Sequence, residues 1–149
     1  MPIIIDDGDP SFAPARLTAI PNPIGWSKVS GSGHAGDHAL HSHGVAQGPA
    51  NFARWTMTPP SSVAPVSVFA TWVPLAGNAQ NATYHIYNGN ALLDTVAVDQ
   101  QQPPVPDIVV GATPFQKLGE YTFTFNSLTV RLITDAANGN LVADAIAAT

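Results

Sequence analysis

Hydrophobic and polar residues alternate with a period of two along several stretches of the chain, the spacing at which successive side chains fall on opposite faces of a strand. The stretches are residues 52–57, 66–72, 83–87, 95–98, 120–125, 128–133 and 141–146, and residues 3–6 bring the predicted strands to at least eight. Between them lie turn-forming clusters: Pro59-Pro60-Ser61-Ser62, Ala76-Gly77-Asn78, Asn88-Gly89-Asn90, Pro103-Pro104 and Asn138-Gly139-Asn140. Asn88-Gly89 between two alternating runs predicts a hairpin, and Asn126-Ser127 a second. Residues 11–48, rich in Pro, Gly, Ser and His, read as long surface loops in which only 26–29 and 39–42 look extended. Many short strands separated by turns predict an all-β fold: a single-domain antiparallel β-sandwich, jelly-roll-like, over residues 1–149. Within it Trp55, Trp72, Tyr121, Phe123 and Phe125 are expected in the core.

Composition supports strands and removes several function classes. The chain holds one Glu and two Lys, the usual helix formers, against 25 Val and Thr, and its 14 Pro and 12 Gly would break long helices. Only 10% of residues are charged and 45% are apolar, so charge-driven disorder is excluded. A net charge of −5 gives no basic footprint for a phosphate backbone, and nucleic acid is not an expected partner. The absence of Cys removes disulfides, thiol nucleophiles and Cys-based metal centres. No apolar run reaches the roughly 18 residues of a spanning helix, so no membrane span is expected. Residues 1–7 lack the basic and apolar regions of a signal peptide, which fits either a cytoplasmic product or an excised module.

Candidate chemistry is sparse. Glu120 is the only Glu, no spacing singles out a carboxylate pair, and neither a glycine-flanked nucleophile nor a phosphate-cradling loop is present, so a noncatalytic chain is predicted. Four of the five histidines, His34, His38, His41 and His43, fall within ten residues. On an extended backbone His41 and His43 would project from one face about 6.5–7 Å apart, suited to a transition metal completed by Asp37 or His34. The alternative is that they are solvated loop histidines. Acidic patches at Asp6, Asp7 and Asp9, at Asp135 with Asn138, and at Asp144 offer hard oxygen ligands for a structural calcium ion assembled from distant segments. Asp144 shares a face with Val142 and Ile146, so its carboxylate must be compensated by hydrogen bonds, by a cation or by both. Aromatic rings hold sugars by stacking, and the candidates expected to be exposed are Trp26 in the loop region and Tyr87 with His85 beside the Asn88-Gly89 turn.

The ordered set Ile4-Ile5-Asp6-Asp7-Gly8-Asp9-Pro10-Ser11-Phe12, Gly25-Trp26, Ala53-Arg54-Trp55-Thr56 and Phe69-Ala70-Thr71-Trp72-Val73-Pro74 resembles the golvesin/xanthan-lyase carbohydrate-binding-like domain. Its continuation does so too, through Ala82-Thr83-Tyr84-His85-Ile86 and Leu118-Gly119-Glu120-Tyr121-Thr122-Phe123 to the closing Val142-Ala143-Asp144-Ala145-Ile146. The resemblance implies a β-sandwich acting as a noncatalytic accessory module, extracellular or at the cell surface, whose partner is a polysaccharide or cell-surface glycan. The sparsely charged surface leaves a second expectation open: a homo-oligomer, self-associating as a structural subunit of a surface layer, fibre or virion decoration.

Overall fold

The computed structural model describes residues 2–7 and 24–149. Twelve strands among them build three antiparallel sheets, and the all-β antiparallel class is the one the alternation predicts. The first sheet has five strands in the order β1 (Ile3–Asp6), β12 (Ala145–Ala148), β5 (Val66–Ala70), β9 (Thr113–Tyr121) and β8 (Ile108–Val110). The second has four: β4 (Phe52–Met57), β10 (Leu128–Ile133), β6 (Ala82–Asn88) and β7 (Ala91–Val98). The third joins β11 (Leu141–Ala143), β3 (Asp37–His41) and β2 (Trp26–Ser30).

Period-two patterning decides which side of the four-stranded sheet meets the core. Ala53, Trp55 and Met57 of β4, Leu128, Val130 and Leu132 of β10, and Ala82, Tyr84 and Ile86 of β6 point inward and are buried. They pack with Val66, Val68, Ala70, Ile5 and Ile146 of the five-stranded sheet into one apolar cluster. The opposite side of that second layer is also covered. Phe69, Phe115, Ala145 and Ala147 form a smaller cluster there, and the His34 ring meets Phe115 edge-on at 5.8 Å. Covering both faces explains why β12 reads Ala-Ile-Ala-Ala, small and apolar throughout, rather than alternating.

Three local expectations are corrected. The strand expected at 120–125 lies earlier, because a register shift opposite Val68 and Phe69 inserts Leu118 as an extra residue and breaks the period of β9. Phe123 is in the core as expected, but Phe125 is 59% exposed. Asn126-Ser127 precedes β10, which pairs with β4 and β6, whereas β9 pairs with β5 and β8; the dipeptide crosses between sheets instead of closing a hairpin. The Asn88-Gly89 signal does mark a hairpin: Asn88 pairs with Ala91 around the loop Gly89-Asn90, and Gly89 takes the φ of 59° that such a loop requires.

The continuous run 141–146 is divided at Asp144. Leu141–Ala143 pair with β3, while Ala145–Ala148 pair with β1 and β5, so one residue carries the chain from one sheet to another. Its carbonyl accepts the Trp55 indole N–H at 3.2 Å, which ties this corner to the middle of β4.

Candidate functional site

Two clusters of polar side chains result from this framework. The first occupies the outward face of the four-stranded sheet. The residues alternating with the core positions are Phe52, Arg54 and Thr56 on β4, Thr129, Arg131 and Ile133 on β10, and Thr83, His85 and Tyr87 on β6. Register places Arg54 directly opposite Arg131, and Arg131 directly opposite His85, in one row across three strands. The next row brings Thr56 opposite Thr129, with their hydroxyls 3.2 Å apart, and Thr129 opposite Tyr87.

A groove runs over these rows. Its larger part, about 540 Å³, is bounded by Arg54, Tyr87, Arg131 and the Gly89-Asn90 turn, with Thr56, Ser127 and Thr129 along it. A smaller hollow of about 280 Å³ shares Tyr87 and Arg131 and extends past Phe52 and His85 to Asp135. The Arg131 guanidinium lies between two rings, 4.4 Å from the Phe52 centroid and 4.7 Å from that of Tyr87. That stacking explains how Phe52 is buried although it faces outward, and it holds the arginine in place. Partial burial, together with the Arg131 charge, pushes the His85 pKa below its usual 6.5, so His85 is neutral at neutral pH. The end of the groove is fixed by Asn88: its amide donates to the Thr124 hydroxyl at 2.9 Å and its carbonyl oxygen accepts the Phe125 N–H at 3.0 Å. Phe125 is thereby held against Gly89, where an added Cβ would come within 3.1 Å of its ring.

The second cluster sits at the Asp144 corner. Asp6 ends β1, Asp7 follows it and Asp37 opens β3, and carboxylate oxygens of these three lie within 4.8 Å of one another. Asp144 joins them: both of its carboxylate oxygens accept the His34 N–H at 3.0 Å. Gly33, at a φ of 105°, makes this approach possible, because a Cβ there would overlap the Asp37 carbonyl. Among the described residues one cation answers the four carboxylates, Lys28, whose ammonium is 2.9 Å from Asp37. Both oxygens of Asp7, which is 4% exposed, and one oxygen each of Asp6 and Asp37 are buried without a hydrogen-bond partner. Burial, reinforced by the neighbouring carboxylates, raises the pKa of Asp7 to about 8. Asp144 is raised to about 8 chiefly by burial, against the opposing His34 hydrogen bond, and Asp6 is raised for the same first reason. Clustered oxygen donors of this kind could hold a metal ion.

No protein-family model matches the chain, and no curated protein matches it closely. Among solved structures the chain is similar to a xanthan lyase from Paenibacillus, with a TM-score of 0.66 and 20% sequence identity. The match covers 99% of this chain but 13% of that lyase, so the chain spans a small part of the larger enzyme's length. At this identity the likeness shows a shared fold.

The sequence-predicted site residues are distributed over both clusters and outside them. His85 and Tyr87 line the groove together. Trp26 does not: it is 8% exposed, its indole N–H donates to Asn51 at 2.8 Å and its ring packs on His41 at 5.0 Å. The expectation that it is exposed is therefore corrected, because β2 turns the ring inward against β3 and the residue 51 corner. Asp6 and Asp7 lie with Asp37 in one group of carboxylates and Asp144 lies beside them, whereas Asp135 lines the groove's smaller hollow and Asp9 lies outside the described residues. His41 closes β3 as a fully buried residue, with its pKa lowered mainly by burial, whereas His43 is exposed beyond the strand end. The two rings thus occupy different surroundings, and among the described residues the three-residue group able to hold a cation is made of carboxylates. Sequence reasoning missed the groove roles of Phe52, Arg54, Thr129 and Arg131. The available signal was that each falls at an outward position of an alternating strand, where arginine and aromatic side chains lie next to one another.

Proposed function

We propose that this chain is a noncatalytic carbohydrate-binding accessory module of a secreted bacterial protein, folding as one domain and holding a polysaccharide in the groove across β4, β10 and β6. The observation that carries this reading is the groove itself: the Tyr87 ring beside a row of hydroxyl and guanidinium donors, on the outward face of a sheet whose inner face is fully packed. Sugars need both elements, an aromatic surface for the apolar face of the ring and hydrogen-bond donors for its hydroxyls. In this reading Tyr87, His85, Arg54 and Arg131 furnish binding and orientation. The resemblance of the residue order to the golvesin/xanthan-lyase domain, and the likeness in fold to part of a polysaccharide lyase, support the same reading.

The Asp6, Asp7, Asp37 and Asp144 cluster serves in this proposal as a structural calcium site. Four carboxylates from three sheet corners supply hard oxygen ligands, and the orphaned oxygens of Asp7 are the strongest reason to place a divalent cation there. Bound calcium would tie β1, β3 and the β11–β12 corner together without touching the groove.

Affinity electrophoresis through gels containing xanthan, polygalacturonate or glucomannan tests the binding role. Retardation by at least one polymer, reduced by roughly tenfold in Tyr87→Ala, is the expected result. Retardation by none, together with concentration-dependent oligomers in light scattering, would instead favour the self-associating structural subunit.

A further inference from the structure

The groove concentrates positive charge in a chain that has little. Of the five Lys and Arg residues, Lys28 and Lys117 are spent on carboxylates, Asp37 and Glu120. Arg54 and Arg131 have no carboxylate ion pair among the described residues, and they are the two that stand face to face on adjacent strands. Directly opposed cross-strand residues have Cβ atoms about 5 Å apart, where like charges repel and destabilise the sheet. Folding alone gives no reason for this arrangement. The single acid in the groove, Asp135, is at the far side of the smaller hollow and is exposed.

The Arg131 guanidinium is also not free to relax away. Arg131 is stacked between Phe52 and Tyr87, and its Nε is buried without a partner. Such a fixed fork matches a planar acceptor with two oxygens better than it matches neutral hydroxyls. Beside it stand the Tyr87 ring and the Thr56 and Thr129 hydroxyls, the parts that would contact the rest of a sugar residue.

We infer that the groove selects polysaccharides bearing carboxylate groups, that is, uronic-acid or otherwise carboxylated glycans, and that Arg54 and Arg131 together hold the carboxylate while Tyr87 stacks on the sugar ring. This inference rests on the carbohydrate-binding reading and sharpens it. A neutral polymer of the same stereochemistry would lack the group for which the arginine pair is arranged.

The test compares xanthan and polygalacturonate with the same polymers after chemical reduction of their carboxyl groups, by affinity electrophoresis and titration calorimetry on the full chain. Retention of the native polymers, loss of about tenfold or more on reduction, and a similar loss for Arg54→Gln on the native polymers only, are the expected results. Arg54→Lys should recover part of the loss, since it keeps charge but not the fork. Arg54 is the first choice because it does not stack on Phe52; Arg131→Gln is read alongside, with circular dichroism confirming the fold. Equal binding of native and reduced polymers would overturn the carboxylate inference and leave the carbohydrate module standing. Binding of no polymer in either form would sink both together. Equal affinity for heparin and double-stranded DNA, unaffected by Tyr87→Ala, would mean unselective attraction of polyanions and would also overturn it.

Discussion

With no cation at the Asp144 corner, the protein's stability should fall with rising pH, an unusual direction that follows from its buried carboxyl groups. Asp7 and Asp144 ionise near 3.8 in an unfolded chain but are held up to about 8 in the folded one. Across that interval the folded state keeps protons the unfolded state has released, so their stabilisation is complete at low pH and is lost as the pH climbs towards about 8. His41 and His85 act in the opposite sense: both are lowered from 6.5, so their contribution grows with pH and is complete slightly above that value. Over the interval from about pH 6.5 to 8 the carboxyl groups dominate, because the remaining histidine gain is smaller. Together Asp7 and Asp144 lose on the order of 3 kcal/mol over it. For a domain of this size that is a fall of roughly 6–12 °C in melting temperature. Thermal melts followed by circular dichroism in EDTA measure it directly. Calcium at about a hundred times its dissociation constant, held as proposed by the ionised carboxylates of the folded state, should restore about 2.7 kcal/mol at pH 8. Asp144→Asn keeps an acceptor for the His34 N–H while removing one buried charge, so in EDTA at pH 8 it should melt higher than the unsubstituted protein and respond less to calcium. A melting temperature in EDTA that stays level or rises between pH 6.5 and 8 would refute the reasoning.

Two further outcomes concern the framework. Gln100 is fully buried; its amide donates to the Val142 carbonyl at 2.9 Å and the Tyr84 hydroxyl at 3.2 Å, and its carbonyl oxygen accepts the Val142 N–H at 2.8 Å. Gln100→Ala leaves a cavity and stranded buried polar groups, and should cost about 3 kcal/mol or more in urea unfolding. Gly33→Ala forces a Cβ onto the Asp37 carbonyl in a backbone conformation that alanine disfavours. It should cost roughly 2 kcal/mol and weaken cation binding at the proposed carboxylate site in calorimetry, while leaving the proposed retention by polysaccharide unchanged.

The outcome for the two clusters shows where sequence information ran out. Tyr87 and His85 were legible as a pair because they sit two apart on one strand beside a recognisable turn, and local spacing alone puts them on one face. Arg54 and Arg131 are 77 positions apart, and nothing local says that β4 and β10 pair in the register that sets them opposite one another. The acidic corner was half legible for the same reason. Asp6 and Asp7 are adjacent and Asp144 stood out as a carboxylate in an apolar strand, but Asp37 was read with the histidines because its distance from Asp144 closes only when β3 pairs with β11. The Pro- and Gly-rich neighbourhood of Trp26 suggests an exposed loop, whereas pairing with β3 turns the ring inward.

The alternation of side chains by itself determined the all-β class, most strand positions and the inward set of residues, since a period of two forces each strand to show one face to the core. It also determined that Asp144 would need compensation, because a charge among Val142 and Ile146 costs several kcal/mol whatever it meets. Which strands become neighbours, in which register, and hence which distant charges confront each other, was decided by the tertiary structure alone. Pairing between strands far apart in sequence depends on how two whole sheets pack, and single-strand patterns carry no record of that choice.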